Sequence, residues 1–319
     1  MVYKLKGKRV YVAGHRGMVG AAVCRRLAKD DVEIITSPRS DLDLRDTQSV
    51  QHWMKDTQPD AVIIAAAKVG GIHANNTYPV DFLLENLMIQ NSVISAAHNA
   101  DVERLLFLGS SCIYPKMAEQ PIKEEALLTG ALEITNESYA IAKISGLKLV
   151  EAYRRQYGRD WISAMPTNLY GPGDNYHPKN SHVLPALLRR FHEAKIRGEN
   201  TVTIWGTGTP LREFMHVDDL ADALIFCLER YSDNQHINIG SGQEVSIREL
   251  AEIIAEAVGG DFEISYDTMK PDGTPRKLMD TQKLRELGWT PQIELVSGIK
   301  STYADLKNDN RFERYADTT

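Results

Sequence analysis

Residues 10–20 read VYVAGHRGMVG. A short apolar run, Val10 to Ala13, breaks into glycines at 14, 17 and 20, and a helical pattern begins among them. The spacing has a physical reason. Glycines allow a tight turn, let the backbone approach a pyrophosphate and let helix pack closely on strand, while the helix N-terminus stabilises the phosphate charge. Gly14, Gly17 and Gly20, with His15, Arg16, Met18 and Val19 between them, therefore read as contacts of a dinucleotide. The bland alternative is an ordinary glycine-rich turn, and the placement directly after a strand and at the start of a helix argues against it.

Working outward, short apolar runs alternate with longer helical patterns. Strands are predicted at Val32–Thr36, Ala61–Ala65, Arg104–Gly109 and Trp161–Thr167, with helices over Gly17–Lys29 and Asp81–Asn99. This βαβ rhythm predicts an α/β fold, a doubly wound parallel sheet of the Rossmann type. After about Gly171 the pattern turns loop-like in GPGDNYHPKNS. Beyond it, short strands (Thr201–Trp205, His236–Ile239) alternate with helices near Asp218–Arg230 and Ile247–Val258. The expectation is a Rossmann domain over residues 1–175, completed by a later segment near 200–240, and a smaller α/β substrate domain over 176–319. With no repeat or low-complexity linker, the two should pack tightly.

Composition excludes several classes. The 319 residues are 43% hydrophobic and 25% charged, enough to bury one large core or two ordinary ones. Thirty-seven basic residues against 43 acidic ones give a net charge of −6, and the basic ones are scattered, which disfavours nucleic acid and anionic membrane as partners. Met1 to Lys8 has no apolar targeting core and no apolar run approaches the roughly 18 residues of a membrane span, so a cytoplasmic protein is expected. Cys24, Cys112 and Cys227 lie far apart with no CxxC spacing, which fits reduced thiols better than a disulfide framework or zinc site, and no metal is expected.

The cofactor's type is read from IITSPRSDLDL, residues 34–44. No acid follows the second strand to hold a ribose 2′-hydroxyl; Arg39, with Arg16 from the glycine loop, suits the 2′-phosphate of NADPH instead. The next motif is NESYAIAKISG, where Tyr139 and Lys143 are four apart and share a helix face. A lysine beside the phenol is expected to lower the tyrosine's pKa from about 10 toward working pH, making a proton donor for an alkoxide.

The glycine loop, the serines closing the fourth strand and YxxxK, in this order, resemble the short-chain dehydrogenase/reductase superfamily in its extended branch, which acts on nucleotide sugars. AAAKVGGIHANNTYP, LGSSCIYPK, MPTNLYGP, NSHVLPALLRRFHEA, GTPLREFMHVDD and KPDGTPRK extend the resemblance over nearly the whole chain. They narrow it to the epimerase/reductase family that converts GDP-4-keto-6-deoxy-D-mannose to GDP-L-fucose. The resemblance implies NADPH, a homodimer, and two epimerisations followed by a reduction at one site. It gives Ser110, Tyr139 and Lys143 to the reduction. On the cofactor it places Asp43, Leu44, Leu108, Gly109, Ser110, Ser111, Lys143, Pro166, Thr167, Asn168, Leu169 and His182. Arg190, Trp205, Arg212 and Asp272 fall on the substrate, with Lys277 a further basic candidate.

The chemistry explains why LGSSCIY carries a cysteine. A 4-keto group acidifies the protons on C3 and C5, and inversion needs proton removal on one face and return on the other. A thiol with a reference pKa of about 8.5, lowered by a nearby cation, can be the base, and an imidazole titrating near neutrality can be the acid. In the resembled family Cys112 is that base and His182 that acid. Sugar dehydratases instead place an Asp-Glu pair where this chain has Ser111-Cys112. The alternatives are an epimerase or reductase for another nucleotide 4-keto sugar, and a non-catalytic dinucleotide sensor. For the cofactor, Arg39→Ala is expected to cut the preference for NADPH over NADH about tenfold or more, measured by titrating both cofactors; equal affinities in the parent protein would overturn the assignment.

Overall fold

The computed structural model describes residues 2–308 except 179 and 271. β1 (Arg9–Ala13) leads into α1 (Met18–Leu27), β2 (Glu33–Ile35) into α2 (Thr47–Thr57), and β3 (Ala61–Ile64) into α3 (Ile72–Thr77) and α4 (Pro79–Asn99). β4 (Arg104–Leu108) is followed by a 3-10 turn over Ser111–Ile113 and by α5 (Glu137–Tyr157); β5 (Ile162–Pro166) is followed by β6 (Asn168–Tyr170) and α6 (Val183–Arg197). Then come β7 (Thr201–Trp205), β8 (Leu211–His216), α7 (Val217–Arg230), β9 (Ile237–Ile239), β10 (Glu244–Ser246) and α8 (Ile247–Val258). β11 (Glu263–Asp267), β12 (Arg276–Lys277), α9 (Gln282–Glu286) and α10 (Leu295–Asn308) complete the order.

β1, β3, β4 and β5 are runs of apolar residues with nearly every position buried, the pattern of parallel strands covered on both faces. They form a parallel sheet of order β2-β1-β3-β4-β5-β9. Because successive side chains point to opposite faces, Val10, Val12, Ile63 and Leu106 pack with α1 and α7, whereas Tyr11, Ile64 and Phe107 pack with α2, α4 and α5. The chain builds outward in both directions from β1, so the order reverses between β1 and β3, and a ligand crevice opens above the carboxyl ends of these strands.

The glycine loop closes this corner. Gly14 has φ +89°, and a Cβ there would lie 2.7 Å from the backbone of Ala66; a Cβ on Gly20 would lie 2.2 Å from the Gly14 carbonyl oxygen. Strand and helix touch only because these side chains are missing. Gly17, the N-cap of α1, offers no capping side chain, and no acid stands in the first turn, so the first amide N–H groups face the crevice with no side-chain acceptor.

A second assembly is centred on β8, which pairs antiparallel with β10 and parallel with β12 and β6; β7 and β11 form a separate parallel pair. Its core is Tyr170, Leu188, Phe191, Leu250, Ile254 and Ile299, drawn mainly from α6, α8 and α10. A main-chain clip joins it to the segment between β4 and α5: the Ile122 amide donates to the Leu278 carbonyl at 2.8 Å, and the Asp280 amide to the Ile122 carbonyl at 2.8 Å. Among the described residues no helix is long and apolar enough to cross a membrane.

Candidate active site

Lys143 is the anchor. Its side chain is buried, and its ammonium donates to the Leu108 carbonyl at 2.8 Å, 4.9 Å from the Phe107 ring and 5.8 Å from the Tyr139 ring. Helical spacing places Tyr139 one turn earlier, on the same face of α5. There it meets the 3-10 turn that carries Cys112. Ser110 caps that turn, its hydroxyl accepting from the Cys112 amide at 3.4 Å, and the same hydroxyl reaches the Tyr139 phenol and the Cys112 thiol. Ser110, Cys112, Tyr139 and Lys143 are thus one cluster.

The electrostatics correct one expectation. Lys143 does not lower the Tyr139 phenol; burial raises it, a negative charge on Cys112 adds to the rise, and only the Ser110 hydrogen bond opposes it. Lys143 points its charge at the Leu108 carbonyl, and burial drags its own pKa from 10.5 down to about 8, with the Cys112 charge resisting. Cys112 corrects another: the thiol is not lowered by a nearby cation, because burial leaves it above its ordinary value although Lys277, Ser110 and Lys143 all pull downward. The neutral phenol is the form that can donate a proton.

His182 comes from a later segment. It is the N-cap of α6 and stays accessible in the cleft. Its segment docks on the loop after β3: the Gly71 amide donates to the Asn180 carbonyl at 2.9 Å, and a Cβ on Gly71 would stand 2.5 Å from the Ser181 carbonyl oxygen. Surrounding protein lowers the imidazole pKa, and the charge of Lys277 lowers it further. Lys277 stands opposite Arg212 in the β12–β8 register.

The remaining substrate candidates form a second group. The Arg190 guanidinium lies 5.1 Å from the Trp205 ring centre and donates to the Thr203 carbonyl at 3.3 Å; Trp205 itself is 58% exposed, with Lys270 at 5.5 Å. Asp272 accepts from the Thr207 amide at 2.7 Å and hydroxyl at 2.9 Å, and its charge supports the desolvated Arg212 guanidinium. An aromatic plate flanked by cations and one carboxylate suits a polar aromatic head group joined to phosphates.

The cofactor candidates line the crevice edge. Arg16 and Arg39 are exposed and, among the described residues, make no hydrogen bond or ion pair, which leaves both guanidiniums available to a 2′-phosphate. Asp43 is engaged by Arg45 at 2.6 Å, which holds its carboxyl at about 2, and Leu44 packs on the neighbouring core. Leu108 ends β4 and Gly109 and Ser111 follow it; Pro166 ends β5, Leu169 packs inward from β6, and the Thr167 hydroxyl and the Asn168 side-chain amide both donate to the Glu213 carbonyl.

A family model described as NAD dependent epimerase/dehydratase matches residues 10–240. The chain belongs to this epimerase/dehydratase family. The chain is 60% identical to "GDP-L-fucose synthase 1" of Arabidopsis thaliana over 299 residues, 93% of each protein. It is 55% identical to "GDP-L-fucose synthase" of Escherichia coli strain K12 over 316 residues, 96% of this chain and 98% of that one. A solved GDP-L-fucose synthetase from Naegleria fowleri, bound to NADP, superposes with a TM-score of 0.88 at 28% identity, covering 98% of this chain and 97% of that one.

Two buried polar groups escape sequence reading. Asn136 stands at the N-cap of α5, yet makes no cap bond, and its Oδ1 is buried without a hydrogen-bond partner. An asparagine before a helix reads as a cap, so only the structure shows an acceptor left open beside Tyr139. Glu213 is fully buried, its carboxylate accepting from the Gly242 amide at 2.7 Å and the Met279 amide at 3.1 Å. Nothing in LREF distinguishes it from a surface acid.

The depressed pKa of Lys143 has a measurable sign. Below about pH 8 the lysine is charged both folded and unfolded, and the desolvation cost is fully present; between about 8 and 10.5 the folded form holds fewer protons, so stability rises with pH. Relative to Lys143→Met, the parent protein is expected to gain up to about 3 kcal/mol of unfolding free energy across that window, measured by urea titration. A flat difference would show that the ammonium is not desolvated.

Proposed function

We propose that this protein converts GDP-4-keto-6-deoxy-D-mannose to GDP-L-fucose with NADPH, inverting C3 and C5 and reducing the C4 ketone in one site. The observation that carries the reading is the thiol of Cys112 beside Tyr139, both reached by the Ser110 hydroxyl. A ketone reductase needs the tyrosine and lysine; the adjoining thiol adds a base for a second chemistry.

In this reading Cys112, as thiolate, takes the proton from C3 and, in a separate round, from C5, each time leaving an enolate whose charge sits on the C4 oxygen and afterwards losing its proton to solvent. His182 returns a proton to the opposite face. Tyr139 and Ser110 hydrogen-bond the C4 oxygen throughout, which favours the enolate and later lets the phenol deliver its proton to the alkoxide. NADPH, when bound, supplies the hydride to C4. The glycine loop and α1 N-terminus fit its pyrophosphate, Arg16 and Arg39 its 2′-phosphate, and Lys143 its nicotinamide ribose. Arg190, Arg212, Trp205 and Asp272 hold the GDP. Residues 1–175 with the later strand β9 carry the cofactor, and 176–319 the sugar nucleotide.

The reading extends to a homodimer. Val80, Leu84 and Met88 form a stripe on α4 that is 68%, 53% and 39% exposed, beside Ile141 on α5 at 43%. A contiguous apolar face of this kind on two adjacent helices suits pairing with its own copy into a four-helix interface. Three free cysteines fit a reducing compartment, the cytoplasm.

Two variants separate the chemistries in deuterated water. Tyr139→Phe is expected to keep exchanging deuterium into C3 and C5 while consuming NADPH at least about 100-fold more slowly. Cys112→Ser is expected to lose most exchange, any residual reduction giving a GDP-6-deoxy sugar of the wrong configuration, identified by NMR. Normal exchange and reduction in Cys112→Ser would reduce the thiol to a packing residue. For the assembly, light scattering at micromolar concentration is expected to return twice the chain mass, and Leu84→Glu a single chain; a monomeric parent would sink the dimer.

A further inference from the structure

The turn that carries Cys112 spans only Ser111–Ile113, and it is pinned at both ends. At its start the Ser110 hydroxyl accepts from the Cys112 amide at 3.4 Å, and the Gly109 amide donates to the Ala164 carbonyl on β5 at 2.9 Å. At its end the Tyr114 amide donates back to the Ser111 carbonyl, and the Tyr114 side chain is buried. Pro115 follows and has no N–H with which to hold the chain. The Tyr114 phenol is the first polar side-chain group after the thiol. Its hydroxyl meets two buried groups of the outer strand β9 and the residue before it: Asn238 Oδ1 at 2.5 Å and His236 Nε2 at 2.9 Å.

The hydrogens of this trio can be counted. The Asn238 side-chain nitrogen donates to the Ile122 carbonyl at 3.0 Å and to the Asp280 carbonyl at 3.2 Å, and carbonyls only accept. The amide therefore has one orientation, with Oδ1 toward Tyr114. Because Oδ1 also only accepts, the phenol donates to it. A phenol has a single hydrogen, so toward His236 its oxygen accepts, and the hydrogen in that contact belongs to Nε2. Burial lowers the His236 pKa to about 4, with the charges of Lys283 and Lys148 adding to the fall and Glu125 opposing it, so the ring is neutral and Nδ1 carries no hydrogen. The Asn238 backbone amide donates to the buried Glu124 carboxylate at 3.0 Å, which fixes this strand in turn.

We propose that Tyr114 is a positioning residue for proton exchange: its hydroxyl, donating to Asn238 and accepting from the Nε2–H tautomer of His236, fixes the turn that presents the Cys112 thiol to the sugar. This rests on the reading of Cys112 as the exchange base. The two chemistries of the site depend on the anchor unequally. Reduction uses Tyr139, held on α5 through Lys143, and Ser110, which follows the end of β4 directly. The thiol lies farther along, between Ser110 and Tyr114, so releasing the far end of the turn displaces the base before it displaces the proton donor. A shift of about 1 Å at a reacting group is enough to slow a step by about 100-fold. Losing the hydroxyl also leaves Asn238 Oδ1 and the His236 N–H buried without a partner, which favours movement of the turn.

The test compares Tyr114→Phe with the parent protein, using NADPH and GDP-4-keto-6-deoxy-D-mannose and reading the products by NMR; NADPH titration confirms that each variant is folded. The ratio of unepimerised to epimerised reduction product is expected to rise about tenfold or more, with the KM for the sugar nucleotide changed less than about threefold. The ratio is taken within one sample, so a loss of folded protein, the effect of a merely structural role, does not move it. His236→Leu removes the donor to the phenol and is expected to raise the ratio likewise, whereas His236→Gln keeps an N–H at similar reach and is expected to stay within about threefold of the parent. Where Tyr114→Phe does not fold, His236→Leu is read in its place. Nitrogen-15 NMR of the histidine rings near neutral pH, with His236 assigned by its loss in His236→Gln, is expected to show a hydrogen on Nε2 and none on Nδ1. An unchanged ratio in folded Tyr114→Phe overturns the proposal, as does a glutamine no better than leucine or a His236 hydrogen on Nδ1 alone. Normal deuterium exchange in Cys112→Ser beside the Nε2–H signal would uphold the hydrogen-bond arrangement while the reading of Cys112 as the base fell.

Discussion

The hydrogen bond from the Lys143 ammonium to the Leu108 carbonyl ties α5 to the carboxyl end of β4, and it does so at the cost of burying a charge. A cation held in this way keeps the last carbonyl of the strand satisfied and fixes the rotation of α5 about its axis. That rotation decides where Tyr139 projects. It also decides which face of α5 is left for solvent, and the apolar stripe of α4 and Ile141 lies there. The position of Ser110 follows from the same strand end, and with it the turn that carries Cys112.

Local chemistry was legible where the reason for a residue is local. The glycines at 14, 17 and 20 mark a contact between neighbours in sequence, so the first βαβ unit could be read from eleven residues, and Tyr139 with Lys143 could be read from helical spacing alone. Strands β1, β3, β4 and β5 declared themselves because parallel strands buried on both faces are continuously apolar. The pairing of Lys277 with Arg212 could not be read, since strand register between distant segments leaves no local trace. The sign of the Tyr139 shift was also out of reach. Spacing shows that Lys143 is near, but not that its charge is aimed at a carbonyl and that desolvation dominates the phenol.

The site gathers groups that a fold would otherwise avoid. Lys143, Lys277, Arg190 and Arg212 are all cations whose surroundings disfavour their charge, and Asn136 leaves a buried oxygen unsatisfied. Each opposes folding, and the three apolar cores supply the stability that offsets them. Buried charges of this kind are more often found at places for chemistry than at places for packing.

The central sheet takes its outer strand from residues 237–239, far along the chain from β5 at 162–166. Between them the ribosome must produce β6, α6, β7, β8 and α7, and α7 is itself one of the two helices that cover the sheet's face. During that interval the nascent protein presents β5 with a bare hydrogen-bonding edge and an uncovered apolar surface, the combination that templates association with other chains. The division between the six-stranded sheet and the assembly around β8 is therefore spatial and not temporal. Neither half can be finished during synthesis until most of the polypeptide exists, and the chain is committed to folding as one piece.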